Sequence, residues 1–98
     1  MKVEQFASLA DLVSKSEIQK VEHLAFYLLE NQSQSEFTVN DLSGILVALE
    51  FALPNKARLK SAIKKSSTFN KGTKADYFRL SARAIKSLRE EYPNLSES

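Results

Sequence analysis

The sequence predicts a mainly α fold completed by a small β-hairpin, an α+β arrangement in one domain. Three observations carry this. Apolar residues recur at three- and four-residue spacing in five stretches of the 98-residue chain, the mark of amphipathic helices. A Ser, Thr or Asn suited to starting a helix precedes four of those stretches. One region, "STFNKGTKADYFRL", replaces the helical rhythm with short β-forming runs around a Gly. A chain of this length holds one compact core and is too short for two.

The first stretch is residues 3–13, where Val3, Phe6, Leu9, Ala10 and Val13 recur at helical spacing and predict an accessory helix within residues 1–13. The main domain then spans residues 14–92. Ser14-Lys15-Ser16-Glu17 reads as a capping box from Ser14 to Glu17, with Val13 and Ile18 as its staple. Ile18, Val21, Leu24, Ala25, Leu28 and Leu29 mark one face of a helix running to about residue 31. "EFTVND" repeats this grammar, with Thr38 as N-cap, Asp41 three residues on and Phe37 stapled to Leu42. Phe37 also suits a very short strand. Leu42, Ile45, Leu46 and Leu49 form the buried side of the next helix, which must end before Pro54 because the residue before a proline is driven out of helical geometry.

Asn55 restarts the chain as an N-cap. In the helix over residues 55–65, Leu59, Ala62, Ile63 and Ser66 fall on one side. Ala57, Lys60, Ser61, Lys64 and Lys65 face away, flanked by Lys56 and Arg58. "STFN" and "ADYFRL" then pair around "KGTK", with Phe78 and Leu80 pointing inward and Tyr77 and Arg79 outward. Gly72 is expected to supply the tight turn. Ser81 caps a last helix carrying Ala84, Ile85 and Leu88, and residues 93–98 read as a flexible tail.

Charge is distributed far less evenly than the formal net of +2 suggests. Residues 1–55 hold three basic and eight acidic side chains, a net of −5; residues 56–89 hold eleven basic side chains against Asp76 alone, a net of +10; Glu90, Glu91 and Glu97 return −3. Such a split points to an anionic partner for the second half. The absence of Cys excludes disulfides and thiolate metal ligands. One His, no Gly-rich phosphate loop and no His/Glu cluster at metal spacing leave no basis for an enzyme, a metal site or a cofactor. Glu4 and Asp11 interrupt the region where a signal peptide needs an apolar run, so no membrane segment and a cytoplasmic or nucleoid-associated location are expected.

At "HLAFYLLE", "FTVNDLSGIL", "LPNKARLKSAIKK" and "STFNKGTKADYFRLS" the chain resembles a winged helix-turn-helix domain over roughly residues 14–92. The resemblance implies that the helix over residues 55–65 enters the DNA major groove and that the hairpin, over residues 71–79, meets the backbone or minor groove, the basic wing loop over residues 70–76 resting on adjacent backbone. On that basis Lys60, Lys64, Lys65, Lys71 and Lys74 are expected to contact phosphate. Five such contacts give a slope of log affinity against log salt near ~−4.5. Asn55 and Arg58 are the candidate base readers, pairing with adenine and guanine respectively. Lys56, Ser61, Tyr77 and Arg79 complete the expected DNA-binding set.

The alternatives come from the same residues. Asn55 also serves as a plain N-cap, and Tyr77 can simply cover the neighbouring helix. His23, Phe26, Tyr27 and Glu30 lie opposite the main apolar stripe of their helix. Either the first helix covers them through Phe6, Leu9 and Val13, or Phe6, Leu9, Phe26 and Tyr27 form a homodimer interface. The competing function is a protein-interaction module in a larger assembly, with the basic face on an acidic partner and the acidic half on another subunit. Exposed aromatics are too sparse for single-stranded RNA.

Overall fold

The computed structural model describes residues 1–93 and 95. Among these, five α-helices and one two-stranded antiparallel hairpin surround a single apolar core. The order is α1 (Val3–Leu9), a 3-10 turn (Leu12–Ser14), α2 (Glu17–Gln32), α3 (Val39–Ala48), α4 (Lys56–Lys65), β1 (Phe69–Lys71), β2 (Phe78–Leu80) and α5 (Ala82–Glu91). The central α2 touches α3, α4, β2 and α5. Phe26, Leu24, Leu42, Leu46, Leu59 and Ile63 are buried between these elements. Each such side chain removed from water stabilises the fold by roughly 1.5–3 kcal/mol before the entropy of ordering is counted.

The hairpin pairs Phe69 with Leu80, Asn70 with Arg79 and Lys71 with Phe78. Phe37 adds a one-residue third rung: its N–H donates to the Phe78 carbonyl (2.7 Å) and its carbonyl accepts from the Phe78 N–H (2.8 Å). The very short strand expected at Phe37 before α3 is reduced to this single bridge. It ties the hairpin to the segment that starts α3.

Three caps occur where local chemistry placed them. Thr38 accepts from the Asp41 N–H (3.1 Å) while the Asp41 carboxylate accepts from the Thr38 N–H (3.0 Å). Asn55 accepts from the Arg58 N–H (3.0 Å), and Ser81 from the Ala84 N–H (3.1 Å). The helix α3 ends before Pro54 through its own cap: the Phe51 N–H reaches the Leu46 carbonyl and the Glu50 N–H that of Val47, with Glu50 left-handed at φ 68°. That is the Schellman arrangement, in which the left-handed position usually falls to Gly.

The N-terminal region differs from expectation. The helix ends at Leu9 instead of continuing to Val13, because Asp11 turns left-handed (φ 52°) and resets the helical frame. Leu12 swings into the core in place of Val13, which is 80% exposed, and Leu9 is 59% exposed. The cap of α2 moves two residues along to Ser16, which pairs with Gln19 rather than the expected Ser14 with Glu17. Ser14 is taken by the preceding turn, where its hydroxyl donates to the Asp11 carboxylate (2.7 Å).

The far side of α2 is covered from within the chain. Phe6 is fully buried, stacked on Tyr27 at 5.6 Å and met edge-on by Tyr92 at 5.4 Å. The Tyr27 hydroxyl donates to the Met1 carbonyl (2.6 Å). His23 Nδ1 donates to the Gln19 carbonyl (2.8 Å) and its ring meets the edge of Tyr92. Glu30 accepts from Arg89 on α5 (2.5 Å). Of the two alternatives for this face, the fold takes cover from within the chain: of the four side chains named for a homodimer interface, Phe6, Phe26 and Tyr27 lie in the core and Leu9 alone faces outward. The tail boundary also shifts, since Leu95 is buried. The remainder of the expected tail, residues 94 and 96–98, lies outside the described residues.

Candidate nucleic-acid interface

The helix α4 packs against β1 of the hairpin, and the two elements adjoin at a shared hollow. Because Leu59 and Ile63 anchor α4 to the core, its opposite face is turned outward, exposing Lys56, Ala57, Arg58, Ser61, Lys64 and Lys65. The hairpin adds exposed Lys71, Lys74 and Arg79. In β2 the inward pair is Phe78 and Leu80, so Arg79 must point away from the core. Tyr77 is half-buried, with the Lys74 ammonium 5.9 Å from its ring centroid.

Between α4 and the hairpin runs a hollow of about 410 Å³. Its floor is Ile63, Phe69 and Phe78, and its rim includes Lys60, Lys64 and Lys71. A shallower hollow of about 290 Å³ lies where the start of α3, through Thr38 and Asn40, meets Lys56 and Ala57. Lys60 and Asp76 border both hollows. They are joined by an ion pair, so the expected phosphate ligand Lys60 is half-buried and already has a carboxylate partner. Lys60 first, by hydrogen bond and charge, and Lys64 more weakly, hold the Asp76 carboxyl below its ordinary range.

Of the residues expected to contact DNA, Lys56, Lys60, Lys64, Lys71 and Tyr77 line the two hollows, and the rest lie on α4 or on the hairpin that adjoins it, with two qualifications of role. Lys60 is engaged by Asp76, and the Asn55 side-chain oxygen Oδ1 is committed to capping α4. Asp76 itself went unassigned in the sequence reading, although the charge count flagged it as the one acid among eleven bases. Glu36 was also missed. Its carboxylate accepts from the Thr73 N–H and hydroxyl, each at 3.0 Å, and clasps the hairpin loop.

That clasp revises the role of Gly72. No Gly in the described residues has positive φ, and the left-handed position of the loop is Asp76 (φ 66°). Gly72 is required by close approach: a Cβ there would lie 2.7 Å from Glu36 Oε1 and 2.9 Å from the Tyr77 carbonyl carbon.

Among the described residues no three His, Cys, Asp or Glu side chains group to hold a metal, and no helix is long and apolar enough to cross a membrane. No protein-family model matches the chain, and no curated protein or solved structure is significantly similar to it.

Proposed function

We propose that this chain is a small duplex-DNA-binding protein of winged-helix type, acting in the cytoplasm or on the nucleoid as a transcriptional regulator or the DNA-targeting module of a larger system. In this reading α4 lies in the major groove and the loop over residues 70–76 rests on adjacent backbone. The observation that carries it is the composition of one surface: seven exposed cations, Lys56, Arg58, Lys64, Lys65, Lys71, Lys74 and Arg79, on a helix and an adjoining hairpin. No large hydrophobic side chain is exposed there among the described residues. A surface of that kind gains affinity by releasing counterions from phosphates and has no apolar anchor for a protein partner.

Lys64, Lys65, Lys71 and Lys74 are in no ion pair among the described residues, Lys64 acting on Asp76 only weakly and at longer range. Four phosphate contacts give a slope near ~−3.6, shallower than five contacts would because Lys60 is held by Asp76. Arg58 is the favoured base reader. A bidentate Asn-to-adenine contact needs both amide atoms, and capping occupies the Asn55 oxygen.

The test is fluorescence anisotropy of a labelled random-sequence duplex from low to physiological salt, with Lys64→Glu/Lys65→Glu alongside. Lys60 is left intact because a Glu there would face Asp76. Saturable binding that weakens steeply with salt and disappears in the variant, whose fold is checked by circular dichroism, is the expected result. Absence of binding at low salt rejects the reading. Arg58→Ala is expected to flatten sequence preference in a competition between duplexes.

A further inference from the structure

A second face of the molecule has the opposite chemistry. Where the end of α1 and the turn after it approach the C-terminal end of α3, a cleft of about 510 Å³ is lined by Ala7, Val13, Ala48 and Phe51. Its other side chains include three acids, Glu4, Asp11 and Glu50. None of these is in an ion pair, since those among the described residues are Lys60 with Asp76 and Arg89 with Glu30. Among the described residues, the one cation against a lining side chain is Lys20, 4.7 Å from the Phe51 ring centroid. No residue is shared between this cleft and the two hollows beside α4.

We propose that this cleft docks a basic amphipathic segment of another protein, a helix whose apolar stripe covers Val13 and the cleft floor while its lysines or arginines meet Glu4, Asp11 and Glu50. Charge complementarity identifies the occupant. A second copy docking through the same face would set three acids against three, a like-charge contact that opposes association. A second copy docking through its basic face would supply cations without apolar anchors, because the exposed large hydrophobics are Leu9, Val13, Val47 and Leu53, none of them on α4 or the hairpin. That head-to-tail contact would also propagate instead of closing. What fits is a segment carrying both chemistries at helical spacing, laid into a groove. The inference stands independently of duplex binding, since it uses none of the residues assigned to DNA.

The probe is a labelled synthetic peptide of about 18 residues, long enough to form a helix, with a leucine stripe flanked by lysines. Its control keeps the leucines and replaces every lysine with glutamate. Saturable anisotropy is expected for the lysine peptide alone, with backbone amide shifts concentrated at Ala7, Val13 and residues 48–51. Glu4→Gln/Asp11→Asn/Glu50→Asn and, separately, Val13→Asp are each expected to weaken binding about 10-fold. Val13 is 80% exposed, so its replacement leaves the core intact. The proposal is overturned if the lysine peptide does not saturate, if the glutamate peptide binds equally, if the shifts fall elsewhere, or if sedimentation shows a dimer that Val13→Asp dissociates.

Discussion

Lys60 on α4 and Asp76 in the hairpin loop form an ion pair that joins the helix and the hairpin of the proposed DNA-binding surface. In the proposed reading, the Asp76 carboxylate beside Lys60 and Lys64 competes with phosphate for these cations. Asp76→Asn is therefore expected to tighten duplex binding at low salt and to steepen the salt slope by about 0.9, the contribution of one freed cation. The same anisotropy titration reads both quantities. An unchanged slope would show that Lys60 does not face phosphate.

The pair also makes a prediction about pH. The folded-state pKa of Asp76 is lowered, so its stabilising contribution is present above the ordinary carboxylate value of about 4 and is lost as pH falls through the lower folded value. Wild type and Asp76→Asn should differ in stability near neutrality and converge in strong acid. In a carboxyl-carbon NMR titration, Asp76 should titrate below the ordinary Asp range, and Lys60→Met should raise its midpoint.

Gly72→Ala is expected to destabilise the protein by about 1–3 kcal/mol, the usual cost of forcing a methyl into occupied space. The new Cβ meets Tyr77 backbone, which is held by the bond from the Gly72 N–H to the Tyr77 carbonyl (2.8 Å). Glu36→Ala removes the clasp without the clash, and its cost should be nearer ~1 kcal/mol. Urea denaturation gives the two energies. Faster hydrogen exchange at Thr73 in both variants would locate the effect in the loop.

Phe6→Ala should cost about 3–5 kcal/mol in chemical denaturation, the range for removing a fully buried ring. A loss below ~1 kcal/mol would mean that α1 is an appendage and not a wall of the core.

Glu50→Gly should stabilise by about 1 kcal/mol, because a left-handed backbone strains any residue with a Cβ. Thermal denaturation checks it. A lower melting temperature would indicate that the Glu50 side chain contributes more than its backbone strain costs.

The sequence by itself determined the features settled within a few residues of chain. The caps at Thr38, Asn55 and Ser81 each close through a hydrogen bond three positions away, and the inward alternation of Phe78 and Leu80 follows from the pleat. The concentration of positive charge after residue 55 is likewise a property of the chain, and anchoring by Leu59 and Ile63 sufficed to turn the α4 cations outward. The tertiary structure decided everything that required a choice between two locally equivalent solutions. Ser14 and Ser16 are both competent caps, and the left-handed turn at Asp11 assigned Ser14 to the turn and Ser16 to the helix. That turn also exchanged Val13 for Leu12 in the core. Whether Phe6, Phe26 and Tyr27 were covered by a second chain or by this one depended on how α1 and Tyr92 fold back over α2. Gly72 is demanded by Glu36, thirty-six residues earlier, and Lys60 finds Asp76 only because the hairpin folds back beside α4. Local hydrogen bonding and periodicity are complete within a turn or a strand, whereas close approach and ion pairing depend on which distant segments the core brings together.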